Sequence, residues 1–425
     1  MPSSPDPRPG PLPDPAAPAV AVAIAERSPW TMLLALVSAF AMSQAYRTVA
    51  SIMAPSLQQE FGLSAQALGL FAATFHFSFA ALMLAMGIGV DLHGSRRTVL
   101  TVFPLAIAGG VVAALAPNFG TLLLGQAMIG IGCSPAFVAS TVFISRRFPS
   151  ERFAAISGIA MATGTIGMLL TGTPLAWLIE ASSWRAAFGV LAGLSVLSWL
   201  AIHQLVREPP RGEGGAPQTL GDALRGFAAL LRMPHTWGIV AIGGVCYASF
   251  VTLRGLWLGP MMVDRYGLTL VDAGNLAVAA TLAALFGPPG FGRMDPGPGR
   301  RRKVIVAFSL ATVVFFLVLA ADPGVRFTVV SIPIFALMSG YSILLYTEAR
   351  GAYPPAMAGR AISLYTMSMF LGVAIMQWLT GAVASASAGW GVPTFTAVFV
   401  TVAVMLAAGT AAFALSPKPD TGASR

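Results

Sequence analysis

Charge is what this sequence has least of. Only 10% of its 425 residues are Asp, Glu, Lys or Arg, against about 25% in soluble globular domains, whose surfaces must face water. That shortage excludes a soluble enzyme, a nucleic-acid-binding protein and a disordered scaffold, although a net charge of +9 and a pI near 10.2 would otherwise point to nucleic acid. Cysteine is nearly absent too. Cys133 and Cys246 stand far apart in apolar runs with no Cys-x-x-Cys or Cys/His spacing, so they read as small buried hydrophobes. There is no nucleophile–base arrangement, phosphate-cradling glycine loop with a lysine, or metal-ligand set. Neither an enzyme nor a cofactor is expected.

What the chain has is apolar length. The apolar set makes up 56% of the residues and the mean hydropathy is +0.77; the 45 Gly and 31 Pro suit membrane helices, which tolerate both. Stretches long enough to cross a bilayer recur at about 29–54, 66–90, 98–117, 120–145, 152–178, 184–206, 236–260, 270–291, 303–321, 325–347, 360–383 and 391–415. Strands of a membrane barrel alternate every second residue over about ten, and these runs do not. The expected fold is all-α and membrane-integral, with twelve transmembrane helices.

Ahead of the first span lie residues 1–28, with eight prolines and none of the zones of a secretory signal, so a disordered tail is expected. An even number of spans puts both termini on one side, and that side collects 20 of the 25 basic residues. The opposite loops keep only Arg185, Arg265 and Arg326, while Arg47 and Arg254 fall inside helices. By the positive-inside rule both termini are cytoplasmic, and a bacterial plasma membrane is the expected home. The lipid bilayer, and not nucleic acid, is the expected macromolecular environment.

The chain divides into similar halves. Its longest internal polar stretch, residues 207–235, separates a first set of six spans (29–206) from a second (236–415), with a tail at 416–425. Arg47 lies in the first helix of one half and Arg254 in the first helix of the other, followed by Pro55 and Pro260 respectively. Between the second and third helices of each half stands an acidic, glycine and basic cluster: GIGVDLHGSRR (87–97), then GRMDPGPGRRRK (292–303). Parallel six-helix repeats with a site between them are a transporter architecture.

The pattern Gly87-x-x-x-Asp91-x-x-Gly94-x-Arg96-Arg97 resembles the signature loop of the major facilitator superfamily. Leu92 stands where a basic residue often follows the Asp, and the second copy has altered spacing and two extra prolines. The resemblance implies two pseudo-symmetric six-helix bundles, and a loop that latches the cytoplasmic face in the outward-open state. Asp91 sits beside Arg96 and Arg97 and is expected to accept charge-assisted hydrogen bonds from them. Asp295, in the second copy, and Arg147, Glu348 and Arg350, in the loops 145–152 and 347–360, look like matching gate residues. The competing reading of all of them is ordinary positive-inside charge.

A charge inside a membrane helix costs about 2.5–3.5 kcal/mol on insertion scales and marks a candidate functional site. Arg47 lies 18 residues beyond Pro29 and Arg254 17 beyond Trp237, so both reach similar depth and are expected to face each other across the two-fold axis. Two guanidiniums in one cavity repel unless an anion bridges them. The pair resembles that of the superfamily's organic-phosphate and organic-anion members, which implies a small anionic substrate, with a carboxylate favoured. The alternative is structural: Arg47 snorkels and Arg254 pairs with Asp264. Further candidates to line the site are Gln44, Tyr46, Tyr247, Trp257, Tyr341, Tyr365 and Gln377, with Gln126 and Tyr346; each alone reads equally as a packing residue.

No Asp or Glu lies in mid-helix, so His76 is the interior titratable candidate to carry a coupling proton in symport. A structural histidine, a proton carried by the anion itself, or anion exchange are the other options. Competing functions are drug–proton export, a soft-metal carrier using some of the 19 Met, and a sensor that keeps the carrier fold. The glycines of helix five (Gly158, Gly164, Gly167, Gly172, with Pro174) are spaced differently from the drug-exporter motif, and no cavity acid is present to hold a cation. The reading that follows is a monomeric alternating-access carrier for a small organic anion.

Overall fold

A computed structural model describes residues 28–149, 152–207 and 220–419. The proline-rich segment through residue 27 and the linker stretch 208–219 lie outside the described residues. Among the described residues twelve helices are long and apolar enough to cross a membrane: α1 Pro29–Phe61, α2 Ala65–His93, α3 Ser95–Ala114, α4 Phe119–Arg147, α5 Ala155–Ala181, α6 Trp184–Leu205, α7 Pro234–Arg265, α8 Leu270–Arg293, α9 Pro298–Ala320, α10 Val325–Gly351, α11 Met357–Trp390 and α12 Thr394–Leu415. Short polar residues begin many of them. Ser28, Ser64, Asn118 and Ser183 accept hydrogen bonds from the first-turn amides of α1, α2, α4 and α6, and Thr269 with Asp272 forms a capping box on α8. Pro55 lies inside α1 without ending it, so that helix runs to Phe61 instead of stopping near residue 54.

The packing repeats with a six-helix offset. In the first bundle α1 rests on α5 and α6, α3 on α4 and α6, and α2 on α4. The second bundle matches it, with α7 on α11 and α12, α9 on α10 and α12, and α8 on α10. Three seams join the bundles: α2 against α11 and α5 against α8, which a two-fold rotation exchanges, and α1 against α7, which that rotation maps onto itself. Where residues 208–219 end, a short helix, Leu220–Leu231, buries Phe227 and Leu230 against the second bundle.

The face that holds the termini shows the same symmetry in finer detail. Gly94 (φ +86°) and Gly297 (φ +81°) take the same left-handed turn, which only glycine adopts easily, just before α3 and α9. In each helix that follows, one arginine reaches the end of another helix of its bundle. Arg96 donates to the His203 carbonyl at the end of α6 (2.9 Å), and Arg302 to the Phe413 and Ser416 carbonyls at the end of α12. A cation at a helix C-terminus satisfies its orphan carbonyls and its dipole.

This geometry corrects the partner expected for Asp91. Because Gly94 turns Arg96 back onto α6, and Arg97 is exposed, the ion pair of Asp91 is with Arg146 on α4, at 3.7 Å and well exposed. An exposed pair of that length contributes little. The second copy, despite its prolines, is the tighter one. Arg301 grips both oxygens of Asp295 (2.6–3.2 Å) and lies 3.6 Å from Glu348 of α10.

At the opposite, far face the bundles touch. Thr173 of α5 donates to Asn275 of α8 (2.6 Å), Ser385 of α11 accepts from the Gln66 amide, and the Gly259 amide of α7 donates to Ser51 of α1 (2.9 Å). Small residues permit this approach. A Cβ on Gly259 would lie 1.8 Å from the Ser51 carbonyl oxygen, and one on Gly381 2.8 Å from Gly69 Cα. The far face is closed, and among the described residues the ion pairs on the termini face each lie within one bundle.

Two expected outcomes follow from these contacts. Gly259→Ala wedges α7 off α1, so a cysteine in place of the fully buried Ala277 of α8 reacts several-fold faster with a water-soluble thiol reagent than in the parent; equal rates would show that this contact does not close the far face. Arg301 holds the Asp295 carboxyl below its ordinary value of 3.8, so the pair stabilises the fold above that pH and fades as pH falls through the lowered value. Asp295→Asn then lowers the melting temperature at pH 7 by roughly 2–4 °C, and the gap to the parent shrinks at pH 3. A gap that is independent of pH would contradict the ion pair.

Candidate functional site

Arg47 lies near the middle of helix α1, where only 4% of its surface is exposed. Its Nη1 donates to the Tyr247 hydroxyl of α7 (3.0 Å) and its Nη2 to Ser43 one turn back (3.3 Å). Two rings flank the guanidinium, Phe79 of α2 with its centroid 5.5 Å from Cζ and Phe370 of α11 at 4.7 Å. Those rings touch each other across the α2–α11 seam, centroids 4.5 Å apart. Cation–π contact recovers about 0.5–2 kcal/mol of the cost of burial. Nε makes no hydrogen bond within the protein. Tyr247 and Tyr346 are only partly buried, so this side of the guanidinium is the less enclosed one.

Arg254 is buried to 1% in a stretch of α7 wound as a π-helix, Leu253–Trp257. Such wide turns concentrate at functional sites. Its Nε donates to Thr281 of α8 (3.2 Å) and its Nη2 to the Met168 carbonyl of α5 (2.7 Å), while Nη1 has no partner. Among the described residues no carboxylate lies within ion-pair distance of either arginine.

The two guanidiniums therefore do not face each other, as their matched depth suggested. Arg47 turns into the α2–α11 seam and Arg254 into the α5–α8 seam, the two positions that the two-fold axis exchanges. Each finds ring faces or neutral acceptors there, which like charges facing one another would lack. The structural alternative for Arg254 fails as well: Asp264 is exposed on the last turn of α7, and Arg254 is buried well before it.

The remaining candidates separate into two groups. Beside Arg47 lie Tyr247, with Gln44 one turn earlier on α1, and His76. The His76 ring is 3.2 Å from the Ala72 carbonyl through Nδ1, packs edge-on to Phe75, and has the Gln377 side chain of α11 as its other polar neighbour. Tyr365 stacks edge-on to Tyr346 at 4.8 Å with its hydroxyl unpaired. Gln44 Oε1, Gln126 Oε1 and both amide atoms of Gln377 are buried and make no hydrogen bond. Buried polar atoms are almost always paired, and one left unpaired costs about 1–3 kcal/mol.

Three candidates turn away from the site, each for a hydrogen bond inside its own bundle. Tyr46 bonds Ser195 of α6 (3.3 Å) and touches Gly110 of α3. Trp257 donates to Thr380 (3.0 Å). Tyr341 donates to Cys246 (3.0 Å) and shares a hydrogen bond with Ser309. These side chains lock helices together. On the termini face Arg147 donates to the Arg207 carbonyl (3.4 Å), Arg350 is exposed, and Gly87 has open space around it.

Sequence reading missed Phe79, Phe370, Ser43, Thr281 and the Met168 carbonyl. Phe79 and Phe370 are two of 26 Phe, and nothing local distinguishes a ring that flanks a cation from one that packs. The Met168 carbonyl is exposed by a break in α5 at Thr171 and Gly172, just before Pro174, which was the available signal.

Comparison with known proteins agrees with the fold. Residues 35–347 match the Major Facilitator Superfamily profile. The chain is 24% identical over 324 residues to a hexuronate transporter of Bacillus subtilis (strain 168), covering 72% of this chain and 76% of that protein. It is 26% identical over 248 residues to the puromycin resistance protein pur8 of Streptomyces alboniger, covering 56% of this chain but only 47% of that one. A solved bacterial homologue of the human lysosomal transporter Spinster, inward-facing and occupied, superposes with a TM-score of 0.71 at 18% identity, covering 90% of this chain and 95% of that one. With twelve spans, two bundles related by a six-helix repeat, and a family match over most of its length, the chain belongs to the Major Facilitator Superfamily and is a multi-pass membrane transporter.

Proposed function

We propose that this transporter is a secondary carrier for a monovalent, hydroxylated organic acid of the hexuronate type, working by alternating access. The observation that carries this reading is Arg47, a guanidinium at the bundle interface with no carboxylate beside it and its Nε unpaired. An arginine fork matches a carboxylate. The groups around it are neutral amides, phenols and an imidazole, suited to hydroxyls and not to a second charge. The likeness to a hexuronate transporter supports the same class. The skew of basic residues to the termini face supports placing both termini in the cytoplasm, and the likeness to bacterial transporters supports a bacterial inner membrane. With the far face closed, Arg47 is reached from the cytoplasmic side past Tyr247 and Tyr346.

His76 is the proposed proton site, since its buried imidazole stands beside both Arg47 and Gln377 at the α2–α11 seam. The cytoplasmic clusters, Gly87, Asp91, Gly94, Arg96, Arg97 and Arg147 in one bundle and Asp295, Glu348 and Arg350 in the other, are the proposed latch when that face closes. Drug export is the second reading, and the likeness to a puromycin resistance protein favours it. Against it stands a membrane core with two arginines and no acid to hold a cationic drug.

Uptake into proteoliposomes tests the proposal. Arg47→Gln is expected to reduce D-galacturonate transport at least 100-fold and Arg47→Lys less severely, because lysine keeps the charge and loses the fork. Undiminished transport by Arg47→Gln, or no transport of any sugar acid by the parent, would sink the anion reading. Loss of pH-dependent accumulation with exchange preserved is expected of His76→Ala; accumulation that still follows the pH gradient would remove His76 from coupling.

A further inference from the structure

The hydrogen bonds of Arg47 do not by themselves fix its guanidinium. Nη1 donates to Tyr247 (3.0 Å) and Nη2 makes a long bond to Ser43 (3.3 Å), and a fork held at two such points can still swing. A pair of rings stops it. Phe79 and Phe370 stand 5.5 and 4.7 Å from Cζ and 4.5 Å from each other. These three distances make a nearly equilateral triangle, so both rings lie in the same direction from Cζ and form a wedge, not a sandwich. Each ring is backed by another: Phe75 stacks behind Phe79 at 5.9 Å, and Tyr247 meets Phe370 edge-on at 5.9 Å.

The α2–α11 seam builds this wedge. The two helices meet backbone to backbone at Gly69 and Gly381. Phe79 lies ten residues from that contact along α2 and Phe370 eleven along α11, both toward the termini face. At 1.5 Å per residue the rings arrive at one depth, one from each bundle. A ring differs here from other apolar side chains because its face carries the negative side of a quadrupole. Leucine would fill the space without holding a cation.

One edge of the guanidinium is left. Nε is buried and makes no hydrogen bond within the protein, and it shares that edge with Nη2. Two parallel N–H groups match a carboxylate, and only the long Ser43 bond must be shared or yield. We infer that Phe79 and Phe370 are positioning residues. Acting through Arg47 from opposite bundles, they fix the plane of its fork and present the Nε–Nη2 edge to the carboxylate of the ligand. The positioning of Arg47 stands on geometry alone; its use by a carboxylate rests on the anion reading above.

Two measurements on the purified full-length carrier test the two parts, with Phe79→Leu and Phe370→Leu each removing one ring. The first uses no ligand. Among the arginine Nε–H resonances of isotope-labelled protein, the one lost in Arg47→Lys is expected to be displaced by ring currents and to move toward the position of free arginine in both leucine variants. A resonance that stays in place in both overturns the positioning. The second is D-galacturonate affinity by calorimetry in a double-mutant cycle. Arg47→Lys keeps the charge and loses the fork. It is expected to weaken binding at least ten-fold in the parent but less than about three-fold once either ring is leucine, because an unheld fork has little left to lose. Loss of packing alone would leave that penalty unchanged, so equal penalties in all three backgrounds overturn the role of the rings in recognition. Arg47→Gln is the control. No binding by the parent, or binding that survives this change, sinks the anion reading, and the resonance still decides the positioning.

Discussion

A guanidinium in the membrane core with no carboxylate beside it is the constraint on which the rest of this structure depends. Placing such a charge among hydrocarbon costs several kcal/mol unless the protein supplies acceptors or rings. This chain does so twice, and differently. Arg47 is held by a phenol, a serine and two phenylalanine faces, while Arg254 is held by a threonine and a main-chain carbonyl. Both sets of partners come from both bundles, so each arginine reports on the relative position of the two halves.

Closure of the far face follows from small residues as much as from charge. Gly259 against Ser51, Gly381 against Gly69, and Gly172 against Gly274 let backbone meet backbone at the seams. Such contacts are short-ranged and dry, so they are either made or absent, which suits a two-position device better than a graded one. The polar residues added on top, Thr173–Asn275 and Ser51–Gly259, fix the register of a contact that the glycines allow.

Much of this was legible in the sequence because a bilayer leaves few choices. Every span needs about twenty apolar residues, so the helices could be counted, and the repeat showed in Arg47 and Arg254, in Gly94 and Gly297, and in the basic clusters after them. The interior of each bundle was not legible. Tyr46, Tyr247 and Tyr341 are all tyrosines in apolar helices, yet only Tyr247 reaches Arg47; which way a helix faces is settled by its neighbours. For the same reason the depth of Arg47 and Arg254 was readable while the seam each enters was not. The Asp91 partner was misjudged because a left-handed glycine turn redirects Arg96 onto a helix end, and that turn is a three-dimensional fact.

The account therefore stands or falls on whether the Arg47 site takes a single carboxylate. The most direct measurement is thermal stabilisation of the purified carrier by matched ligands: D-galacturonate, its neutral counterpart D-galactose, its dianionic counterpart galactarate, and the cationic drug puromycin. Ligand binding to the folded state raises the melting temperature with concentration. Stabilisation by the monoacid well above that by the neutral sugar, the diacid or the drug, and its loss in Arg47→Gln, is the result expected. Equal stabilisation by sugar and acid, or stabilisation by puromycin alone that survives Arg47→Gln, would contradict it.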